Sequence, residues 1–115
     1  MYKRQSQALL LLNEAQYLKA ARALAQKTLA HKSDTDTARL AFAYETVTAQ
    51  LPDDRERAIL LPLVENLRAR YTAEPALAAT LCEGLDLPAD AQAQLAAWTV
   101  LVNTLYNLDI TKTRE

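Results

Sequence analysis

Only a few side chains in this sequence could do chemistry: one histidine, one cysteine, scattered carboxylates and a pair of amides. His31 could exchange a proton or bind a metal, since imidazole changes charge near neutral pH. It stands beside Lys32 at the expected end of a helix, where a cation complements the negative pole of the helix dipole. No carboxylate or nucleophile has a motif-like relation to it. Cys82 could act as a nucleophile only with a cation or base close by. Its neighbours Ala78-Ala79-Thr80-Leu81 are small or apolar, so burial in a core accounts for it. His31 and Cys82 together have no metal-ligand spacing.

The carboxylates read as structural. Asp34, Asp36, Asp53, Asp54, Asp90 and Asp109 gather near expected helix ends, where carboxylates cap unpaired N–H groups and oppose the dipole. Glu65 and Arg68, spaced i to i+3 on one helix, read as a solvated pair rather than a site. Trp98 falls on a strongly apolar helix and reads as core. Asn103 and Asn107 share one face of that same helix. Buried amides need hydrogen-bond partners, so the two either line a solvent strip, the usual place for asparagine, or bond across an interface. With Phe42, an aromatic on another helix, they are the candidate interface residues. No catalytic, cofactor-binding or metal-ligating residue is assigned, and no cofactor is expected. Glycine-rich loops and Ser/His/Asp arrangements are missing, so the isolated chain is expected not to be an enzyme.

The elements that must position these residues are helices. Of 115 residues 50% are hydrophobic, and one glycine and four prolines leave little material for hairpins. Ala, Leu, Gln, Glu and Arg dominate, and they lose little rotamer freedom in a helix. The fold class is all-α: an irregular bundle of five to six helices around a central C-terminal helix. A net charge of −1 gives no electrostatic case for nucleic acid or an anionic membrane. A single cysteine excludes an internal disulfide. The run Leu9-Leu10-Leu11-Leu12 stops at Asn13-Glu14, too short for a secretory signal. No stretch is long enough to span a bilayer, so no membrane insertion is expected.

Along the chain, 7–12 reads as a first helical turn, and Asn13 as the cap of a second helix running to about His31. Tyr17, Ala21, Leu24 and Thr28 share its inner face, with Lys19, Arg22 and Gln26 opposite. Ser33 to Asp36 form a polar, cap-competent connector. A third helix places Leu40, Ala43, Tyr44, Val47 and Leu51 on one stripe, leaving Phe42 on the other side beside Arg39 and Glu45. Asp53 and Glu56 have capping-box spacing at the start of a fourth helix, which buries Leu60, Leu63, Val64, Leu67 and Tyr71. Pro62 lies on its outer face and predicts a bend rather than a break. Pro75 opens and Gly84 closes a short fifth helix. Pro88 starts the sixth, with Ala91, Leu95, Trp98, Val102 and Leu105 as its stripe, widened by Ala97, Leu101 and Leu108. The tail from Thr111 to Glu115 is expected to fray.

Two stretches resemble a known family. Gln7-Ala8-Leu9 with Leu12-Asn13, then Ala20-Ala21-Arg22-Ala23-Leu24-Ala25, resemble the "LQAL…LLN…AARALA" stretch of the domain of unknown function 1553, a C-terminal domain of large planctomycete-type multidomain proteins. Ala96-Ala97-Trp98-Thr99, Leu105-Tyr106-Asn107-Leu108-Asp109 and Thr113-Arg114-Glu115 resemble its "AAWT…LLNLDETITRE" terminus. The resemblance covers roughly 6–115. Ile110 and Lys112 depart from an expected Glu and Ile, and Leu87-Pro88 from an expected Asp-Pro cap. It implies a larger parent protein, often with an upstream cytochrome-c-like region and often exported or periplasmic. It supplies no catalytic residue. Glu83-Gly84 after Cys82 is not a haem attachment motif.

Met1-Tyr2-Lys3-Arg4-Gln5 looks like the translation of a transposase sequencing adapter. On that reading 1–5 are a non-native tail and 6–115 a single helical domain, the C-terminal portion of a larger one. The expected function is a structural or interaction module, with upstream domains of the same parent or another protein as partner. The alternative is a stand-alone tetratricopeptide-like adaptor binding a peptide or protein. It rests on one repeat-like stretch, Tyr17 to Ala25, where about three repeats are needed for stability.

Overall fold

The computed structural model describes residues 18–31 and 35–114, with only the backbone described for 109–114. The readings placed on 1–5, 7–12, Asn13, Tyr17, Ser33 and Asp34, and on the side chains of Asp109, Ile110 and Lys112, lie outside the described residues.

All five described elements are helices: α1 (18–31), α2 (Asp36–Thr48), α3 (Asp54–Ala73), α4 (Pro75–Leu81) and α5 (Ala89–Arg114). Among the described residues there is no strand. Helix α5 is the hub, with α2, α3 and α4 all packing on it. Its central stretch explains why. Leu95, Ala96, Ala97, Trp98 and Thr99 are consecutive and all buried. At about 100° of rotation per residue such a run covers the whole circumference, so this part of the helix can only lie inside. Leu101, Val102 and Leu105 continue the core. Helix α5 runs to Arg114, where a frayed tail from Thr111 was expected.

The other helices present one face each. Ala21, Leu24, Ala25 and Thr28 are the buried side of α1; Leu40, Ala43 and Tyr44 that of α2; Leu60 and Val64 that of α3. Leu63, Leu67 and Tyr71 pack on this core half-buried. The stripe assigned to α2 stops short of Leu51, which is 62% exposed. Ala49 takes a left-handed conformation (φ 66°) and its N–H bonds the carbonyl of Glu45, so the helix closes before the apolar period reaches Leu51. Helix α3 runs unbroken through Pro62, which is exposed. Ala58, whose carbonyl loses its donor to the proline, is exposed too and open to water.

Helix starts follow the capping residues. The Thr35 hydroxyl accepts the Ala38 N–H at 3.1 Å. At α3 the full capping box forms: Asp53 Oδ1 accepts the Glu56 N–H at 2.8 Å, and Glu56 Oε1 accepts the Asp53 N–H at 2.9 Å. Pro75 occupies the first turn of α4. Gly84, at φ 87°, lies in the turn closed by the Leu85 N–H on the Cys82 carbonyl at 3.0 Å, a position that a side chain would strain. The helices run to 13, 20, 7 and 26 residues from α2 to α5, so they do not repeat as matched pairs. The tetratricopeptide alternative loses its structural basis.

Candidate functional site

Among the described residues, three polar junctions centred on charged side chains tie the helices together. The largest centres on Arg68 of α3. Its Nη2 donates to Asp36 Oδ2 at 2.6 Å, and its Nη1 to Asp36 Oδ1 at 3.3 Å and Gln94 Oε1 at 2.7 Å. One guanidinium thus joins α3 to the first turn of α2 and to α5. The two-pronged fit to a carboxylate suits its planar fork. Arg39 adds a bond to Asp36 Oδ1 at 2.9 Å. The Arg68 hydrogen bond, the largest influence, holds the Asp36 carboxyl below its ordinary range, and Arg39 adds to this against the opposing effect of burial. Arg68 is shifted upward, first by the same bond. The solvated Glu65–Arg68 pair read from sequence is therefore corrected. Arg68 turns inward to Asp36, and Glu65 contributes only a small through-space attraction.

The second junction lies at the α2–α3 corner. Tyr44 donates its hydroxyl proton to Glu56 Oε2 at 2.5 Å. The carboxylate that completes the capping box therefore also grips the preceding helix. The third junction binds α1 to the end of α4. Arg22 Nη1 donates to the Glu83 carbonyl at 2.8 Å and the Leu81 carbonyl at 3.4 Å. Those carbonyls lie where a helix runs out of its own donors. Sequence periodicity put Arg22 on the solvent side; it is half-buried and engaged. A cleft of about 420 Å³ opens here, lined by Leu18, Lys19, Arg22, Thr80, Leu81 and Glu83 among others.

The candidate interface residues are dispersed over two helices. Phe42 is half-buried on α2, and its ring stacks on His31 at 5.6 Å between centroids, with planes 16° apart. The off-face aromatic thus has a partner within the chain. Asn103 is half-buried on α5, while Asn107 and its neighbour Leu108 are exposed. Cys82 is buried, its thiol directed at the Gln92 carbonyl of α5 at 3.4 Å. Burial pushes that thiol up from its ordinary range, with the Arg22 charge opposing. Among the described residues no three of His, Cys, Asp and Glu gather as metal ligands would. Among them, too, no helix is long and apolar enough to cross a membrane.

Comparison with known families then places the chain. The family described as PSD1, protein of unknown function (DUF1553), matches residues 3–64. The chain belongs to this family. The matched segment carries α1, α2 and the first half of α3, so it includes the Ala20 to Ala25 stretch, the Phe42–His31 stack and the capping box. The closing stretch from Ala96, which also resembles the family, lies beyond the matched residues. The match opens at residue 3, within the stretch set aside as foreign. No curated protein and no solved structure matches the chain.

What sequence reasoning missed shares one property: the partners are distant. Arg68 meets Asp36 across two helices, and Arg22 meets main-chain carbonyls that carry no sequence signature. The one available signal was Asp36 itself. A first-turn carboxylate has its charge directed outward from the helix end, and is free to serve a second helix.

Proposed function

We propose that this chain is a non-catalytic helical structural and interaction module, part of a larger exported protein of this family. The observation that carries the reading is how its inserted polar groups are used. Arg22, Arg68 and Glu56 each tie one helix to another. Their geometry serves the framework, leaving reactions and cargo to other parts of the parent. The resemblance of the closing residues to a planctomycete-type C-terminus supports the larger parent and its export. Its partner is an upstream domain of that parent or another protein. Leu51, Ile59 and Leu108, exposed at 62%, 61% and 47%, are apolar surface available for that contact, and Asn103 and Asn107 lie on the same helix as Leu108.

Hydrogen exchange and size exclusion on the purified chain, alone and with the upstream region added as a separate polypeptide, test this. Protection gained at 51–59 or 103–108 on addition is the expected result. A monomer with unchanged exchange at both places overturns the interface, and robust hydrolase or redox turnover by the chain alone overturns the non-catalytic reading.

A further inference from the structure

Helix α4 is held differently from its neighbours. From Pro75 to the turn at 82–85 only Ala78 and Cys82 are buried, with Leu81 and Leu85 half-buried and the rest exposed. No side chain caps its N-terminus. At its other end the Cys82 thiol on the Gln92 carbonyl and the Arg22 guanidinium on the Leu81 and Glu83 carbonyls are the side-chain ties to α5 and α1. Segments with few buried contacts open locally at a lower free energy than the whole domain. We propose that α4 with the 82–85 turn is a flap that swings off α5 as a unit while the rest of the bundle stays folded, and that Arg22 is its latch.

The single buried cysteine supplies the readout. Cys82 lies at the latched end of the flap, between the two carbonyls that Arg22 holds, and is 1% exposed, so a thiol reagent reaches it only after the flap lifts. Arg22 also attracts the thiolate charge. Removing that cation alone makes the thiol a poorer nucleophile, so faster labelling in its absence reports opening and not altered chemistry.

The experiment is N-ethylmaleimide labelling of Cys82 followed by mass spectrometry, on the full chain and on Arg22→Gln. Loss of charge-assisted bonds is expected to speed labelling by about tenfold or more. The melting midpoint should fall less than in Arg68→Gln, the control. In Arg68→Gln, labelling should rise only as far as the loss of global stability requires. Labelling unchanged or slowed in a folded Arg22→Gln overturns the latch. Amide exchange of the native chain in low denaturant decides the flap even where the variant does not fold. Once off α5 a seven-residue helix cannot hold its own hydrogen bonds, so exchange at Cys82 and Leu85 with a denaturant slope well below that of global unfolding is expected, and an equal slope overturns the flap.

Discussion

The α2–α3 corner and the α4 segment lie on the same central helix and are built from similar apolar residues, yet they are anchored in opposite ways. At the corner, Thr35 caps one helix and the Asp53–Glu56 box the next. Tyr44 then bonds the box, and Arg68 closes the arrangement by spanning α2, α3 and α5. Each tie limits a different motion, and Leu40, Leu60 and Val64 are buried beneath them. In α4 one small side chain is buried, and the polar ties cluster at a single end. The contrast shows that firmness comes from independent restraints placed around a helix more than from its composition.

The comparison can be broken first at the corner's core. Leu40→Ala should cost about 3 kcal/mol, as a fully buried leucine leaves a cavity, and urea unfolding will measure it. Next, Arg68→Gln should cost about 2 kcal/mol near neutral pH, since it strips the charged partner from Asp36. The sign with pH follows from Asp36. Its folded pKa lies below the unfolded one, so the contribution is whole above the ordinary carboxylate range and lost as pH falls through the lower folded value. Thermal melts should therefore show wild type and Arg68→Gln converging on strong acidification. A gap that persists in acid would mean that packing of the arginine stem, and not the ion pair, supplies the effect.

Smaller changes sharpen the contrast. Tyr44→Phe removes the hydroxyl on Glu56 and should lower stability by about 1 kcal/mol in denaturant titration. Ala49→Gly should raise it by about 0.5–1 kcal/mol, because alanine at φ 66° carries a steric penalty that glycine lacks. On the other side of the comparison, Leu77→Ala in α4, already 40% exposed, should shift the melt least, by under about 1 kcal/mol. A shift equal to that of Leu40→Ala would erase the distinction between the two regions.

The legible parts of this fold were local. Asp53 and Glu56 lie within one turn, so their spacing carried the capping box. Pro75 and Gly84 bracketed α4 because their backbone preferences act on themselves alone. The buried run of α5 was visible in its composition, and Cys82 in its small apolar neighbours. The illegible parts depended on where helices lie in space. Leu51 continued the α2 period, but Ala49, with no glycine to announce it, had already turned the chain away. Phe42 seemed to face outward because periodicity on α2 knows nothing of His31 at the end of α1. Arg68 had an acid within one turn, Glu65, that masked the more distant one it binds. Leu108 continued the apolar stripe of the closing helix, yet it is 47% exposed, because a sequence period does not say where the neighbouring helices stop.

The placement of the core in α5 also bears on how the chain becomes folded in a cell. Translation proceeds at about 5–20 residues per second, and helices made early must wait for whatever completes their packing. Trp98, Leu101, Val102 and Leu105 are fully buried and all belong to α5. Until α5 has emerged from the ribosome, Leu24, Leu40 and Val64 have no floor to rest on. The nascent chain therefore spends several seconds with greasy helices uncovered, and their burial waits on the arrival of one tryptophan-bearing helix.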